Sequence, residues 1–557
     1  MLHLTQRTTF FSSTFIIALL LFLLITTKPT SATKSNYIYH VNSTAAAAAS
    51  HCNGTLYPDL CATTLSSLSV DLTQTPLVDV ICASVNATAA VVRSSVAKCS
   101  SFLRLRRYLH HRDLLAVTDC LELFDHTLDF LRAAEIDVSA NSPSHVSYVQ
   151  TVLSAAITNQ YTCLDGFAFV SGGSKVRPYI EQRLTRVSRL VSNSLALVNK
   201  LQRHRHQPRR EVFEGYGDVS GGFPRWLSAG DRRILQSPPS AIKADVVVAK
   251  DGSGKFTTIG AAVAAAPSKS ARRFVIYIKA GAYFENVEVG KSMTNIMFIG
   301  DGIGKTVIKA GRNVVDGWTT FRSATVAVVG NGFIARDITI ENSAGPSKFQ
   351  AVALRTGADL SAFYRCSFVG YQDTLYVHSL RQFYRECNIY GTIDFIFGNA
   401  AVVFQKCNLY ARKPLPNQMN VFTAQGREDP NQNTGISIQN CKVTAASDLI
   451  PVQSSFSTYL GRPWKQYSRT VYMQSLLDSL IHPKGWLEWD GTFGLSTLYY
   501  GEYKNRGLGS NTSKRVNWEG FHVISGVAEA SKFTVGSFIQ GDQWLGPSQI
   551  PFSAGLN

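Results

Sequence analysis

Two aspartates stand at the same place in successive copies of a short repeat. The segments FYRCSF and FYRECNIY begin at Phe363 and Phe383, and Asp373 and Asp394 each follow the cysteine of their segment by seven residues. Equivalent positions in stacked strands lie about 4.8 Å apart. Two carboxyl groups that close repel each other, so one keeps its proton while the other stays ionised. Such a pair supplies an acid and a nucleophile or base at one site.

The period of this repeat predicts the architecture that must position the pair. A third segment, FQKCNLY, places Cys407 after Cys366 and Cys387, at steps of 21 and 20 residues. From residue 245 onward, short runs rich in Val, Ile, Phe and Tyr are bounded by Gly, Asn and Asp. Strands and turns that repeat every 20 residues or so predict an all-β, right-handed parallel β-helix over residues 245–557. A β-sandwich is the alternative, but its turns would come about every 8–12 residues without a common register.

The same register brings cysteines together. Cys387 and Cys407 are expected on adjacent coils, within reach of a disulfide. Cys366 aligns equally well, so register alone does not choose the partner.

The upstream part of the chain has a different pattern. Over residues 46–202 apolar residues recur at helical spacing, as in the face formed by Leu121, Phe124, Leu128 and Leu131, which predicts an all-α helical bundle. Residues 203–244 carry Arg and His clusters with paired glycines and prolines, the composition of an exposed linker. Within it, a processing protease can reach the basic pair of the sequence Arg232-Arg233-Ile234-Leu235, although an ordinary solvated charge pair fits equally well.

The N-terminus and the cysteines indicate an exported protein. Residues 1–32 contain the apolar core FIIALLLFLLI between charged flanks, which predicts a secretory signal peptide or an uncleaved signal anchor. The ten cysteines show no zinc-binding spacing, so disulfides in an oxidising compartment are expected and no metal site or cofactor is. Four N-glycosylation sequons agree with export; they begin at Asn42, Asn53, Asn86 and Asn511.

The charge of the chain favours an anionic partner. The formal net charge is +17, and residues 241–557 alone carry 32 Lys+Arg against 22 Asp+Glu, a net charge of +10. Because the basic residues are scattered outside the linker, they suit a polyanionic substrate, and no nucleic acid partner is expected.

At these residues the chain resembles the plant pectin methylesterases. Five sequence blocks carry the resemblance, in the same order as in that family, within the β-rich region. These blocks are GAYFE from Gly281, QAVALR from Gln350, YQDTL from Tyr371, DFIFGNA from Asp394 and LGRPW from Leu460.

The helical block resembles the pectin methylesterase and invertase inhibitor family. That resemblance implies disulfides among Cys52, Cys61, Cys120 and Cys163, and it leaves the extra Cys82 and Cys99 unassigned. Together the two resemblances imply a precursor enzyme whose inhibitor-like pro-region either restrains activity or assists folding, with the basic pair at the usual cutting place.

The resemblance also implies a role for each matched residue. Asp394 is the nucleophile toward a galacturonate methyl ester, and Asp373 acts as acid and then as base. Gln350 and Gln372 donate amide hydrogens to the oxyanion, Arg462 holds Asp394 ionised, and Trp464 stacks on a sugar. Thr320 matches a substrate-contact position.

The resemblance also implies the partners of the protein. They are methyl-esterified homogalacturonan in the cell wall, a pectinesterase inhibitor protein and a processing protease. The mature form is expected to be a secreted monomer.

Other classes of protein remain as alternatives. A polygalacturonate glycoside hydrolase shares the fold and also uses paired acids, but it needs no amide donors for an oxyanion. A calcium-dependent lyase needs a cluster of acidic ligands, which the sequence does not show. An inactive protein that acts through its inhibitor-like half is disfavoured by the intact aspartate pair.

Overall fold

The computed structural model describes residues 45–68, 71–140, 143–168, 173–205, 219–220, 223–224, 243–548 and 550–556. The predicted leader over residues 1–32, the sequon at Asn42 and the basic sequence at residues 232–235 lie outside these ranges.

The upstream part is a helical bundle, as its periodicity predicts. Helix α3 packs against α2 and α4, and α5 packs against α4 and α2, so the four long helices close around one core. The apolar face that begins at Ile180 and ends at Val198 is buried in this core. The helices are α1 (Pro58–Ser66), α2 (Leu77–Leu103), α3 (His111–Ser139), α4 (Pro143–Asp165) and α5 (Arg177–Arg205).

Two disulfides fasten the bundle. Cys52 is bonded to Cys61, and Cys120 is bonded to Cys163, in agreement with the disulfides that the inhibitor-family resemblance implies among these four residues. Of the described residues, only α2 is long and apolar enough to cross a membrane by length and composition, and its apolar residues pack inside the bundle.

The downstream part is built from short strands with a few short helices. Its helices are α6 (Ile259–Ala264), α7 (Val527–Ser531), α8 (Val535–Ile539) and α9 (Gly541–Ser548). In chain order the strands are β1 (Val219–Ser220), β2 (Phe223–Pro224), β3 (Val246–Val248), β4 (Phe274–Ile278), β5 (Gly281–Phe284), β6 (Val287–Val289), β7 (Ile296–Gly300), β8 (Thr306–Ala310), β9 (Val326–Val328), β10 (Ile334–Arg336), β11 (Thr339–Asn342), β12 (Leu354–Thr356), β13 (Ser361–Tyr364), β14 (Ser367–Val369), β15 (Leu375–Val377), β16 (Arg381–Arg385), β17 (Asn388–Gly391), β18 (Ile396–Gly398), β19 (Ala401–Gln405), β20 (Asn408–Ala411), β21 (Asn420–Gln425), β22 (Gly435–Gln439), β23 (Lys442–Ala445), β24 (Thr458–Pro463), β25 (Arg469–Met473), β26 (Leu476–Leu477), β27 (Tyr499–Tyr503) and β28 (Phe521–Val523).

From β3 onward the strands form the three sheets of a parallel β-helix. A typical coil contributes one strand to each of the three sheets, which contain eleven, eight and seven strands. The seven-stranded sheet, called the site sheet below, has the order β24-β21-β18-β15-β12-β9-β6. Rings stack along the interior, as Phe363, Tyr384 and Phe404 do with centroids 4.6 and 4.7 Å apart. The predicted β-helix is therefore confirmed.

The coils turn at residues in the left-handed conformation. Asp373 and Asp394 have φ of 62° and 51°, a region that aspartate tolerates better than most residues. Each lies at the corner that leads into a strand of the site sheet, so the same local geometry recurs one coil later.

The cysteines of the β-helix correct one prediction. Cys366, Cys387, Cys407 and Cys441 are buried free thiols, so the predicted bond between Cys387 and Cys407 is wrong. In the register that aligns these cysteines, a residue on an inner coil has an equivalent residue on the coil before it and another on the coil after it. The thiols of Cys387 and Cys407 instead donate to the backbone carbonyls of Phe363 and Tyr384, each at 3.5 Å.

Candidate active site

The two aspartates of the repeat lie on neighbouring coils. Leu375 of β15 pairs with Ile396 of β18, and Asp373 and Asp394 each stand two residues earlier. The backbone N–H of Asp373 donates to the carbonyl of Ile393 at 3.1 Å. Both side chains are almost fully buried. The register argument from the sequence therefore places the two carboxyl groups side by side.

Burial and mutual repulsion give the two carboxyls different protonation. Burial, and after it the charge of Asp394, raise the pKa of Asp373 well above its ordinary value. Burial also raises the pKa of Asp394, but Arg462 opposes that shift. Arg462 grips Asp394 through two hydrogen bonds, Nε to Oδ1 at 2.8 Å and Nη2 to Oδ2 at 2.6 Å. Asp373 is therefore the member that holds its proton more strongly, while Arg462 favours the ionised form of Asp394.

Two amides face the same cavity. Gln350 and Gln372 line a cavity of about 330 Å³ together with both aspartates. They lie on successive coils, since the N–H of Ala351 donates to the carbonyl of Gln372 at 3.3 Å. Within the described part of the chain, neither side-chain amide has a protein hydrogen-bond partner, so both N–H₂ groups are available to a ligand. Thr320 lines the cavity as well.

Aromatic side chains complete the cavity wall. Tyr376 and Phe397 stack at 4.2 Å between centroids, and Trp464 meets Phe397 edge-on at 5.9 Å. Trp464 lies directly over Gly426, where an added Cβ would come within 2.8 Å of the indole. Trp489 lies 4.3 Å from the guanidinium of Arg462. Sequence reasoning missed Tyr376 and Trp489, although Tyr376 shares its register position with Phe397 and could have been found by the repeat.

The helical bundle forms the roof of this cavity. Helix α4 and the residues after it contribute Thr162, Asp165, Gly166 and Ala168 to the lining. Thr162 Oγ1 lies 2.9 Å from Nε2 of His378, the residue that follows β15 of the site sheet. This roof was not predicted from the sequence, because no repeat or motif links the two halves.

Further contacts spread the bundle over the site sheet. Asn399 Nδ2 donates to Thr158 Oγ1 at 2.9 Å, and Gln432 Nε2 donates to the carbonyl of Ser154 at 2.9 Å. Outward-facing residues of the sheet, among them Tyr376, are consequently buried. The groove that leads to the two aspartates is therefore covered in the intact chain.

One groove of a β-helix thus holds two adjacent buried carboxyls beside two amides that have no protein hydrogen-bond partner among the described residues. This is the set of groups that a hydrolase acting through carboxylates needs. The comparisons agree with this class. The pectinesterase family model matches residues 245–542, and the plant invertase/pectin methylesterase inhibitor model matches residues 46–197.

Known proteins resemble the whole chain and its β-helix. Pectinesterase 3 of Citrus sinensis is 53% identical over 91% of this chain and 88% of its own length. Pectinesterase/pectinesterase inhibitor 3 of Arabidopsis thaliana is 50% identical over 91% of this chain and 90% of its own. The solved pectin methylesterase from carrot is 62% identical, covers 57% of this chain and 99% of its own, and has a TM-score of 0.56.

The chain belongs to the pectinesterase family. It is a pectinesterase, a carboxylic ester hydrolase, with an inhibitor-family domain at its N-terminal side. This assignment favours the esterase over the polygalacturonate hydrolase and over the inactive protein.

Three sequons lie within the described residues. Asn53, Asn86 and Asn511 are all exposed, and Asn86 Nδ2 donates to Glu135 Oε1 at 2.6 Å. Glycosylation at these positions stays a prediction.

Proposed function

We propose that Asp394 attacks the carbonyl carbon of a galacturonate methyl ester in pectin. The tetrahedral oxyanion receives hydrogen bonds from the amides of Gln350 and Gln372. When the intermediate collapses, Asp373 transfers its proton to the departing methoxide, and methanol leaves. An acyl anhydride then joins the substrate to Asp394.

The second half of the reaction uses the same groups in reverse. Asp373, now ionised, takes a proton from a water molecule, which attacks the acyl carbon of the anhydride. Collapse of this intermediate releases galacturonic acid, which loses its proton to solvent, and regenerates ionised Asp394 and protonated Asp373. Arg462 stabilises the carboxylate of Asp394 at the start and end of the cycle.

Substrate binding falls to the residues around the acid pair. Trp464 offers an aromatic face to a sugar ring, and Thr320 and Gln350, which line the same cavity, contact the polymer. Arg462 lines the cavity wall, so it contributes to substrate binding directly as well as by holding Asp394. The polymer is methyl-esterified homogalacturonan.

The helical domain is proposed to hold the precursor inactive by covering the groove. On this view residues 46–202 are an inhibitor-like pro-domain, residues 203–244 a linker and residues 245–557 the mature enzyme. A protease cuts near Arg232-Arg233-Ile234-Leu235, and the leader directs the chain to the cell wall. A separate inhibitor protein would cover the same groove of the mature monomer.

The observation that carries the proposal is the pairing of a protonated Asp373 with an Asp394 gripped by Arg462. It is tested by methanol release from methylated pectin, with the chain intact and with the helical portion removed after a cut behind Leu235. We expect methanol without loss of polymer length, and more of it after removal. New reducing ends without methanol would show a glycosidase instead.

A further inference from the structure

One arginine is connected to the corners that lead into both aspartates. Strands β14, β17 and β20 are neighbours in the eight-stranded sheet. The corner after β14 contains Asp373, and the corner after β17 contains Asp394. The chain leaves β20 at Arg412, one coil beyond the corner of Asp394 and two coils beyond that of Asp373. Arg412 is therefore the first residue of a third corner, which is stacked on the other two.

The main chain of Arg412 is bound to the second corner, and its side chain reaches the first. Its N–H donates to the carbonyl of Gly391 at 2.7 Å. Its Nη1 donates to the carbonyl of Gly370 at 3.0 Å, and its Nη2 donates to the hydroxyl of Tyr371 at 2.8 Å. The guanidinium also lies 3.9 Å from the ring centroid of Tyr371. A single residue thus connects three coils.

A carboxylate of a fourth coil holds the guanidinium in place. Asp448, which follows β23, accepts from Nε of Arg412 at 3.3 Å. Each of the three guanidinium nitrogens therefore has an oxygen partner. Because the guanidinium is planar and rigid, these partners fix its orientation.

The first two corners are also joined directly to each other. The N–H of Thr392 donates to the carbonyl of Tyr371 at 3.0 Å. Thr374 Oγ1 lies 3.1 Å from the carbonyl oxygen of Tyr371 and 2.9 Å from that of Tyr390. Tyr371 immediately precedes Gln372 and Asp373, so a displacement of Tyr371 moves the amide and the acid that follow it.

We propose that Arg412 is a positioning residue of the esterase, which holds Tyr371 against the corner of Asp394 and so fixes the spacing of the two carboxyl groups and the direction of the Gln372 amide. This inference rests on the proposed function, in which Asp394 attacks the ester and Asp373 transfers a proton. Arg412 acts from outside the cavity, since neither it nor Tyr371 is among the described residues that line the cavity. A misplacement of reacting groups by about 1 Å is enough to lower a rate up to about a hundredfold.

The protonation of Asp373 reports this spacing. On the β-helix, the ionisable groups that act on Asp373 or respond to it are Asp394, Arg462 and Tyr376. Burial, and after it the charge of Asp394, raise the pKa of Asp373. A relaxed corner would separate the two carboxyls and admit water, and both changes lower that pKa. Loss of the Arg412 charge by itself would raise it, so the two effects have opposite signs.

The test uses the separated β-helix portion, residues 245–557, with methylated pectin. The solved carrot chain aligns over 99% of its length with 57% of this chain, a share close in length to that portion, so a chain of that extent is a folded protein. For Arg412→Ala we expect kcat for methanol release to fall about tenfold with KM unchanged. The alkaline limb of the pH profile of kcat/KM should move to lower pH. Tyr371→Phe removes the acceptor of Nη2 but keeps the ring, so it should change kcat and the limb in the same directions by less.

Arg365→Ala is the matched control. Arg365 also stacks on a tyrosine, Tyr364, at 4.8 Å, and pairs with Asp337 at 2.8 Å. Its loss therefore removes the same kinds of contact, but from the corner that precedes β14, and kcat and the pH profile should stay as in the wild type. Arg412→Lys keeps the charge beside Asp448, which guards against a folding defect, and it should lower kcat by a smaller factor than Arg412→Ala.

The outcomes separate this inference from the esterase itself. Unchanged kcat in Arg412→Ala, or an equal loss in Arg365→Ala, overturns the positioning role while the esterase stands. A fall in kcat whose alkaline limb stays in place or moves to higher pH overturns it as well. A wild-type β-helix portion that releases no methanol, or an Asp394→Asn variant that keeps the wild-type rate, removes the proposed reaction and this inference with it.

Discussion

The β-helix and the helical bundle position their functional residues in different ways. In the β-helix one local geometry recurs with each coil. Asp373 and Asp394 are stacked because the register aligns equivalent positions of neighbouring coils. In the bundle the corresponding residues, such as Asp119 and Thr162, lie on one outer surface. Their side chains contact the β-helix. The proposed chemistry therefore lies within one domain, whereas the proposed control depends on contacts between two.

The two regions also differ in how they are held together. Disulfides fasten the bundle, whereas the β-helix keeps its four cysteines as thiols and relies on parallel hydrogen-bond ladders and stacked rings. Removing the bundle should therefore leave the β-helix intact.

The sharpest test of this division is to remove the nucleophile. Asp394→Asn in the separated β-helix portion should lower kcat for methanol release by about a thousandfold or more, because the acyl intermediate cannot form. Asp373→Asn should lower kcat by a similar factor, and the double variant should lower it hardly further, since the pair acts as a unit. Circular dichroism serves as the folding control. Additive losses in the double variant would show that the two residues do not share one reaction.

The second test concerns the cation that tunes the pair. Because Arg462 lowers the pKa of Asp394, Arg462→Gln should raise that pKa, and the acidic limb of the pH profile of kcat/KM should move to higher pH. The alkaline limb, which reports loss of the Asp373 proton, should also move to higher pH, because Arg462 lowers the pKa of Asp373 as well. We expect kcat to fall about a hundredfold as well. An acidic limb that stays in place would mean that Arg462 acts through substrate contacts alone.

The sequence predicts more of the β-helix than of the bundle, and the reason is the repeat. A period of 20 or 21 residues converts positions along the chain into positions in space, which brings Asp373 onto Asp394. The same argument brings Cys387 and Cys407 within reach of a disulfide, but both are free thiols, because register defines neighbours and not whether a bond forms. Arg462 lies 68 residues beyond Asp394, and only the family motif linked the two.

No comparable sequence pattern predicts the contact between the helical bundle and the site sheet. Hydrophobic spacing predicts which face of α5 is buried, since that face meets its own bundle. Contacts such as Thr162 to His378 join elements 216 residues apart through single polar atoms. No periodicity in either half encodes such a contact, so it emerged only from the folded chain.

The third test breaks the contact between the domains. Burial raises the pKa of Asp119 to about 6 even though Arg322 opposes the shift, so at pH 7 the carboxylate is ionised and paired. Asp119→Lys places a cation against Arg322 and should raise methanol release by the uncut chain about tenfold, toward the rate of the separated β-helix portion. Asp59→Lys changes an exposed residue of α1 and should have no effect. Equal rates in the wild type and the Asp119 variant would show that the docked bundle does not limit activity.

The fourth test concerns the different crosslinking of the two regions. A reducing agent should destabilise the bundle, because opening the Cys120–Cys163 loop costs about 2–4 kcal/mol, which lowers the melting temperature of such a domain by several degrees. The β-helix transition should not move, since its thiols are already reduced. Calorimetry of the intact chain with and without reductant measures both transitions, and a Cys120→Ala/Cys163→Ala variant without reductant should reproduce most of the bundle's shift. A β-helix transition that falls with reductant would show that Cys366, Cys387, Cys407 or Cys441 is crosslinked after all.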